Sequence, residues 1–120
     1  YSLPSGTEEE KAHKEAVMEE NLRAASLVPL QIMEAAQQCI SHLEFLEANG
    51  SVMAVSDVGV AVQFIRTALT GAVMNVYINT KSMKQRNEAE KINQKAEKLL
   101  EEGTKRADLV YEKVLSRLKK

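Results

Sequence analysis

A chain of 120 residues with a formal charge of −1 is one domain or part of one, and it carries no basic field to hold nucleic acid or an anionic membrane. The hydrophobic share is 44%, but aromatics are only 4% with no Trp, so the core must be built from aliphatic side chains, Met and Ala. That suits close helix packing better than a β-sandwich. The single cysteine, Cys39, excludes an internal disulfide framework and cysteine-rich zinc sites, and it fits a reducing cytoplasm.

No signal peptide is visible, and no run of roughly 18 apolar residues marks a membrane span. The chain opens on Tyr1 rather than Met, as a processed or cut fragment does. Two prolines and five glycines are few, so turns are few and elements long.

Residues 1–6 read as a loop entering a helix. Thr7 and Glu10 form a capping box, and Glu8 and Glu9 add negative charge to the first turn. Apolar positions recur at Ala12, Ala16, Leu22 and Ala25, then at Ile32, Met33, Ala36, Cys39, Ile40, Leu43 and Leu46. Pro29 interrupts, so the spacing predicts one long helix kinked there or two helices meeting there. Asn49-Gly50 is the stop signal.

From Ala48 to Thr80 the only formal charges are Asp57 and Arg66. Ser56-Asp57 marks a helix start, and a helix is expected from Val58 to about Asn79. It is apolar on nearly every side, the mark of a helix enclosed by others. One face carries Asp57, Ala61, Phe64, Ala68, Gly71, Asn75 and Asn79, with a small centre that another helix backbone can approach and polar ends.

A polar connection over 80–86 precedes a last helix from about Asn87 to Leu118. Its stripe is Ala96, Leu99, Gly103, Ala107, Val110, Val114 and Leu118, and charges fill its other faces. The fold class is all-α, an up-and-down bundle of long helices. Three helices cannot enclose the middle one, so N-terminal helices absent from this chain or a dimer partner must complete it.

His13 and His42 lack ligand partners at helical spacing and read as ordinary helix histidines; no metal motif is present. Cys39, on an apolar stripe without a neighbouring base, reads as a buried structural thiol. Met33, Met53 and Met74 read as core filler. No phosphate-binding loop sequence exists.

Asp57 is either a first-turn acid held by the helix dipole or a proton-transfer carboxylate beside an apolar helix. Asn75 and Asn79, four apart, need amide partners: neighbouring backbone, or a heterocycle with donor and acceptor edges. Arg66 is an ion-pair residue at the core edge or an anion clamp.

Ser56-Asp57-Val58-Gly59-Val60-Ala61, followed by Gly71-Ala72-Val73-Met74-Asn75-Val76-Tyr77-Ile78-Asn79, resembles the cyclodeaminase domain of the formiminotransferase-cyclodeaminase family. Leu3-Pro4 with Thr7–Lys11, and Ala24-Ala25 through Val28-Pro29-Leu30, resemble the family's entry into its long helix and the kinked stretch within it. The likeness spans most of residues 3–80. Ser51 stands where the family commonly has Asn, and the family's Gly-rich upstream half is not in this sequence. The chain, residues 1–120, therefore resembles the C-terminal part of one such domain.

The resemblance implies a cytoplasmic helical enzyme that forms a homodimer or higher oligomer and takes a tetrahydrofolate derivative as substrate, with no prosthetic group or metal, nucleic acid or membrane. It implies cyclisation of 5-formiminotetrahydrofolate to 5,10-methenyltetrahydrofolate with loss of ammonia, or the cyclohydrolase reaction of the methenyl compound. On this resemblance Asp57 is the proton-transfer group or pterin anchor. Ser56, Asn75 and Asn79 bind substrate, and Arg66 or Lys81 meets a folate carboxylate. The rival reading is a non-catalytic module for oligomerisation or partner binding, in which the asparagines only fix helix register.

Overall fold

The computed structural model describes residues 1–120, the side chain of Val52 excepted. It contains three long helices, α1 (Glu8–Asn49), α2 (Val55–Thr80) and α3 (Arg86–Lys119), and among the described residues no strand. The all-α bundle of long helices follows from the sequence as expected.

At the start of α1, Thr7 Oγ1 accepts the Glu10 backbone N–H at 3.1 Å. The Glu10 carboxylate reaches back to the Gly6 N–H at 3.1 Å, one residue earlier than a standard capping box. Pro29 is buried inside α1, and the helix runs through it unbroken. Of the two readings of Pro29, the single helix is therefore correct. The Ala25 carbonyl, which loses its helical donor to the proline, belongs to an exposed residue where water can serve it. Gly50 ends the helix, its N–H donating to the Leu46 carbonyl at 2.7 Å.

A 3-10 turn over Val52–Ala54 leads into α2, which begins at Val55, three residues before the expected Val58. Asp57 thus lies in the first turn, where its charge meets the positive end of the helix. The α2–α3 connection is fastened from both sides. Arg86 donates to the carbonyls of Thr80 and Met83, both at 2.9 Å. Glu19 of α1 accepts the N–H groups of Lys84 and Gln85 at 2.7 and 2.9 Å. Gln85 offers no side-chain cap of its own, so α1 supplies the cap of α3.

The core runs along the triangle between the helices. It includes Met33 and Ile40 from α1, Val62, Leu69 and Val76 from α2, and Ala96 and Ala107 from α3, all fully buried. Two glycines let α2 and α3 approach closely. A Cβ at Gly103 would lie 2.6 Å from Leu69 Cδ1, and one at Gly59 would lie 2.8 Å from Val114 Cγ1. Arg106 ties α3 to α1 through Glu44, Gln37 Oε1 at 2.7 Å and Ser41 Oγ at 2.8 Å.

Three burial expectations fail, those in α1 and α2 for one reason. Cys39 is exposed, not a buried thiol, and Met53 and Met74 stand out from the surface instead of filling the core. Met83 fills it in their place. A helix in a three-helix bundle meets two neighbours, which cover about half of its circumference. The apolar character of α1 and α2 extends further round than that.

Candidate functional site

The helix turn of 100° per residue separates the neighbours Ser56 and Asp57 onto different sides of α2. Ser56 lines a groove of about 440 Å³ between the first half of α2 and the end of α3, with Gln63, Thr67, Tyr111 and apolar walls from Phe64 and Leu115. Asp57 lines a smaller recess of about 300 Å³ between the end of α1 and the start of α2, walled by Leu43, Leu46, Val58 and Ala61. Asp57 is exposed.

Asn75 and Asn79 share a face near the other end of α2. The Asn79 side-chain amide donates to the Asn75 carbonyl at 2.7 Å, so its N–H₂ finds the backbone partner that sequence reasoning held open. Asn75 is exposed. Asp57 and Asn79 lie twenty-two positions apart on one unbroken helix, about 33 Å along the axis, so one chain does not bring them to one small ligand.

Arg66 pairs with Asp108 of α3, Nε to Oδ1 at 2.7 Å and a second nitrogen to Oδ2 at 3.4 Å. That hydrogen bond holds the guanidinium firmly charged, against a smaller opposing effect of burial. Lys81 is exposed at the end of α2 and has no ion-pair partner among the described residues. Of the two cations, Lys81 is the one still available to an anion.

Residues 1–98 match the formiminotransferase-cyclodeaminase family model. The chain belongs to that family. It is 36% identical over 98% of its length to a methenyltetrahydrofolate cyclohydrolase of Methylorubrum extorquens, covering 57% of that protein. It is 35% identical over 90% of its length to the formimidoyltransferase-cyclodeaminase of Rattus norvegicus, and 30% identical to that of Gallus gallus, covering 20% of each. The chain thus spans somewhat over half of one curated relative and a fifth of the others. Within the family frame, α1 and α2 carry the stretches that suggested it, and the match extends through a little over the first third of α3.

Two groups escaped the sequence reading. Tyr111 and Gln63 line the α2–α3 groove, yet neither belongs to a motif, and only the helix pairing brings them together. Buried Thr80 donates to Asn93 Oδ1 at 2.6 Å, fixing the α2–α3 pairing by a polar contact that an alternating apolar pattern does not announce. His13 and His42 are exposed, and the described residues hold no cluster of metal-ligating side chains. No helix among them is long and apolar enough to cross a membrane.

Proposed function

We propose that this chain forms the C-terminal part of a folate one-carbon enzyme acting on the carbon held between N5 and N10 of tetrahydrofolate. The observation that carries the reading is the relatedness, along nearly the whole chain, to a protein named as a methenyltetrahydrofolate cyclohydrolase. In the cyclodeaminase direction, N10 attacks the formimino carbon, a tetrahedral carbon forms, and the C–NH₂ bond breaks to release ammonia. In the cyclohydrolase direction, water adds to the methenyl carbon, loses a proton, and the C–N5 bond breaks to leave a 10-formyl group. Either route needs one group that moves a proton to nitrogen or from water.

Asp57 is that group, or the anchor of the pterin ring. Ser56, Asn75 and Asn79 orient the heterocycle by hydrogen bonds. Lys81 meets a folate carboxylate in preference to Arg66, whose fork already holds Asp108. Because these groups lie at opposite ends of α2, the working site draws them from two chains of a homo-oligomer. Incubation of the full-length protein with 5-formiminotetrahydrofolate, and separately with methenyltetrahydrofolate, tests the reading. Appearance of methenyl absorbance in the first assay, or its enzyme-dependent loss in the second, supports it. Flat traces in both, with no folate-induced shift of Tm, sink it.

One observation favours the rival reading of a non-catalytic helical module. Within a single chain Asn79 is bonded to its own helix and Arg66 to α3, which are structural duties. The flat-trace outcome selects that alternative.

A further inference from the structure

Of the six asparagines in the chain, only Asn49 is followed by glycine. Leu22, Val76, Thr80, Glu88 and Gln94 follow the other five, and each sets a side chain beside the backbone nitrogen that comes after the amide. At Asn49 no side chain shields that nitrogen. Glycine is needed there for a separate reason. A Cβ at Gly50 would run into the Leu46 carbonyl oxygen, so the backbone that ends α1 has no room for a side chain.

An unshielded peptide nitrogen can attack the preceding side-chain amide. The Gly50 nitrogen gives its proton to a solvent base and bonds to Asn49 Cγ. The Cγ–Nδ2 bond breaks, and the amide nitrogen leaves as ammonia with a proton from water. Water then opens the cyclic imide at either carbonyl. The product is aspartate, or its isomer with the main chain running through the side-chain carbon.

In the folded chain both reacting groups are held. The Gly50 N–H donates to the Leu46 carbonyl at 2.7 Å, and Asn49 Nδ2 donates to the Phe45 carbonyl at 3.0 Å. Closing the imide breaks both bonds, so the last turn of α1 has to open first. That turn contains no basic residue of its own. Arg117, near the end of α3, supplies the cation instead and donates to the Glu47 carbonyl at 2.6 Å.

We infer that Asn49-Gly50 is a site of spontaneous deamidation whose rate is set by the last turn of α1, held closed by Arg117. The product carboxylate cannot donate to Phe45, and it adds negative charge at the negative end of α1. Each modified chain therefore holds its helix end less firmly. Gly50 and Asp57 line the same recess, so the altered backbone forms part of the wall around Asp57. The inference does not rest on the folate chemistry.

Ageing the full-length protein at mildly alkaline pH, with and without unfolding urea, gives the test. Peptide mapping by mass spectrometry follows the gain of acid at Asn49, and Asn49→Gln is the control that stays an amide. Because two hydrogen bonds have to break, the folded chain is expected to react slower than the unfolded one by roughly tenfold or more. Arg117→Met is expected to speed the folded reaction about fivefold and to leave the unfolded one unchanged. Hydrogen exchange of the Gly50 N–H reads the same opening in the native protein, and its protection is expected to match the slowing. That measurement needs no variant, so it decides the matter even if Arg117→Met does not fold.

An Asn49 amide that survives in urea as long as the other five means that the site does not react. Equal rates with and without urea mean that the helix end does not guard it. A folded reaction indifferent to Arg117→Met, or a Gly50 N–H that exchanges freely while Asn49 stays intact, removes the gate from the last turn of α1. Each of these results overturns the inference, and none of them bears on the methenyl assay.

Discussion

At the scale of single residues, Asp57 carries the sharpest choice. If it moves a proton, Asp57→Asn lowers turnover of the full-length protein by roughly 10²–10⁴-fold. The urea midpoint stays close to that of the native protein, because the side chain is exposed. An unchanged rate reduces it to a first-turn acid. The glycines make a second test, since Gly71 and Gly103 differ only in what surrounds them. Gly71→Ala removes backbone freedom from an open helix position and stabilises the monomeric chain by about 0.5–1 kcal/mol. Gly103→Ala drives a methyl into fully buried Leu69, and overpacking of about 1–3 kcal/mol outweighs the same gain. Urea titrations of the two variants are expected to move in opposite directions. Of the two sequence readings of Asp57, the structure shows the first-turn acid, in a helix that starts two residues before it. Sequence spacing misplaced Cys39, whose neighbours Ala36 and Ile40 are core residues, because one position round a helix is enough to pass from the core to solvent. The duty of Asn79 was undecidable from spacing alone, since a backbone carbonyl one turn back and a ligand edge satisfy the same amide.

At the scale of elements, the three helices and their stops were legible from capping residues, Asn49-Gly50 and the loss of charge in α2, with boundaries within three residues. What joins them was not, because the contacts cross large separations in sequence. Glu19 holds the start of α3 from 65 positions away, and the Arg106 network spans similar distances. Glu19 also gives a pH signature. The backbone N–H groups of Lys84 and then Gln85 hold its carboxyl below its usual value of 4.5. A carboxylate with a depressed folded pKa stabilises the fold above its unfolded value and loses that contribution as pH falls through the folded one. Glu44, held low by Arg106, acts with the same sign on the α1–α3 contact. Glu19→Gln keeps an acceptor but removes the titration. Its Tm is therefore expected to fall less than that of the native chain between about pH 6 and about pH 3, the contrast vanishing if the α3 cap does not form in solution.

At the scale of the whole molecule, the chain is a rod of 70 × 24 × 18 Å with a radius of gyration of 19.6 Å, against about 14 Å for an ordinary domain of this length. A rod has much surface for its volume, and three helices leave apolar residues of α2 such as Phe64, Met74 and Ile78 exposed. The scarcity of charge between Ala48 and Thr80 signals this apolar surface, but an apolar pattern alone does not say which side stays open.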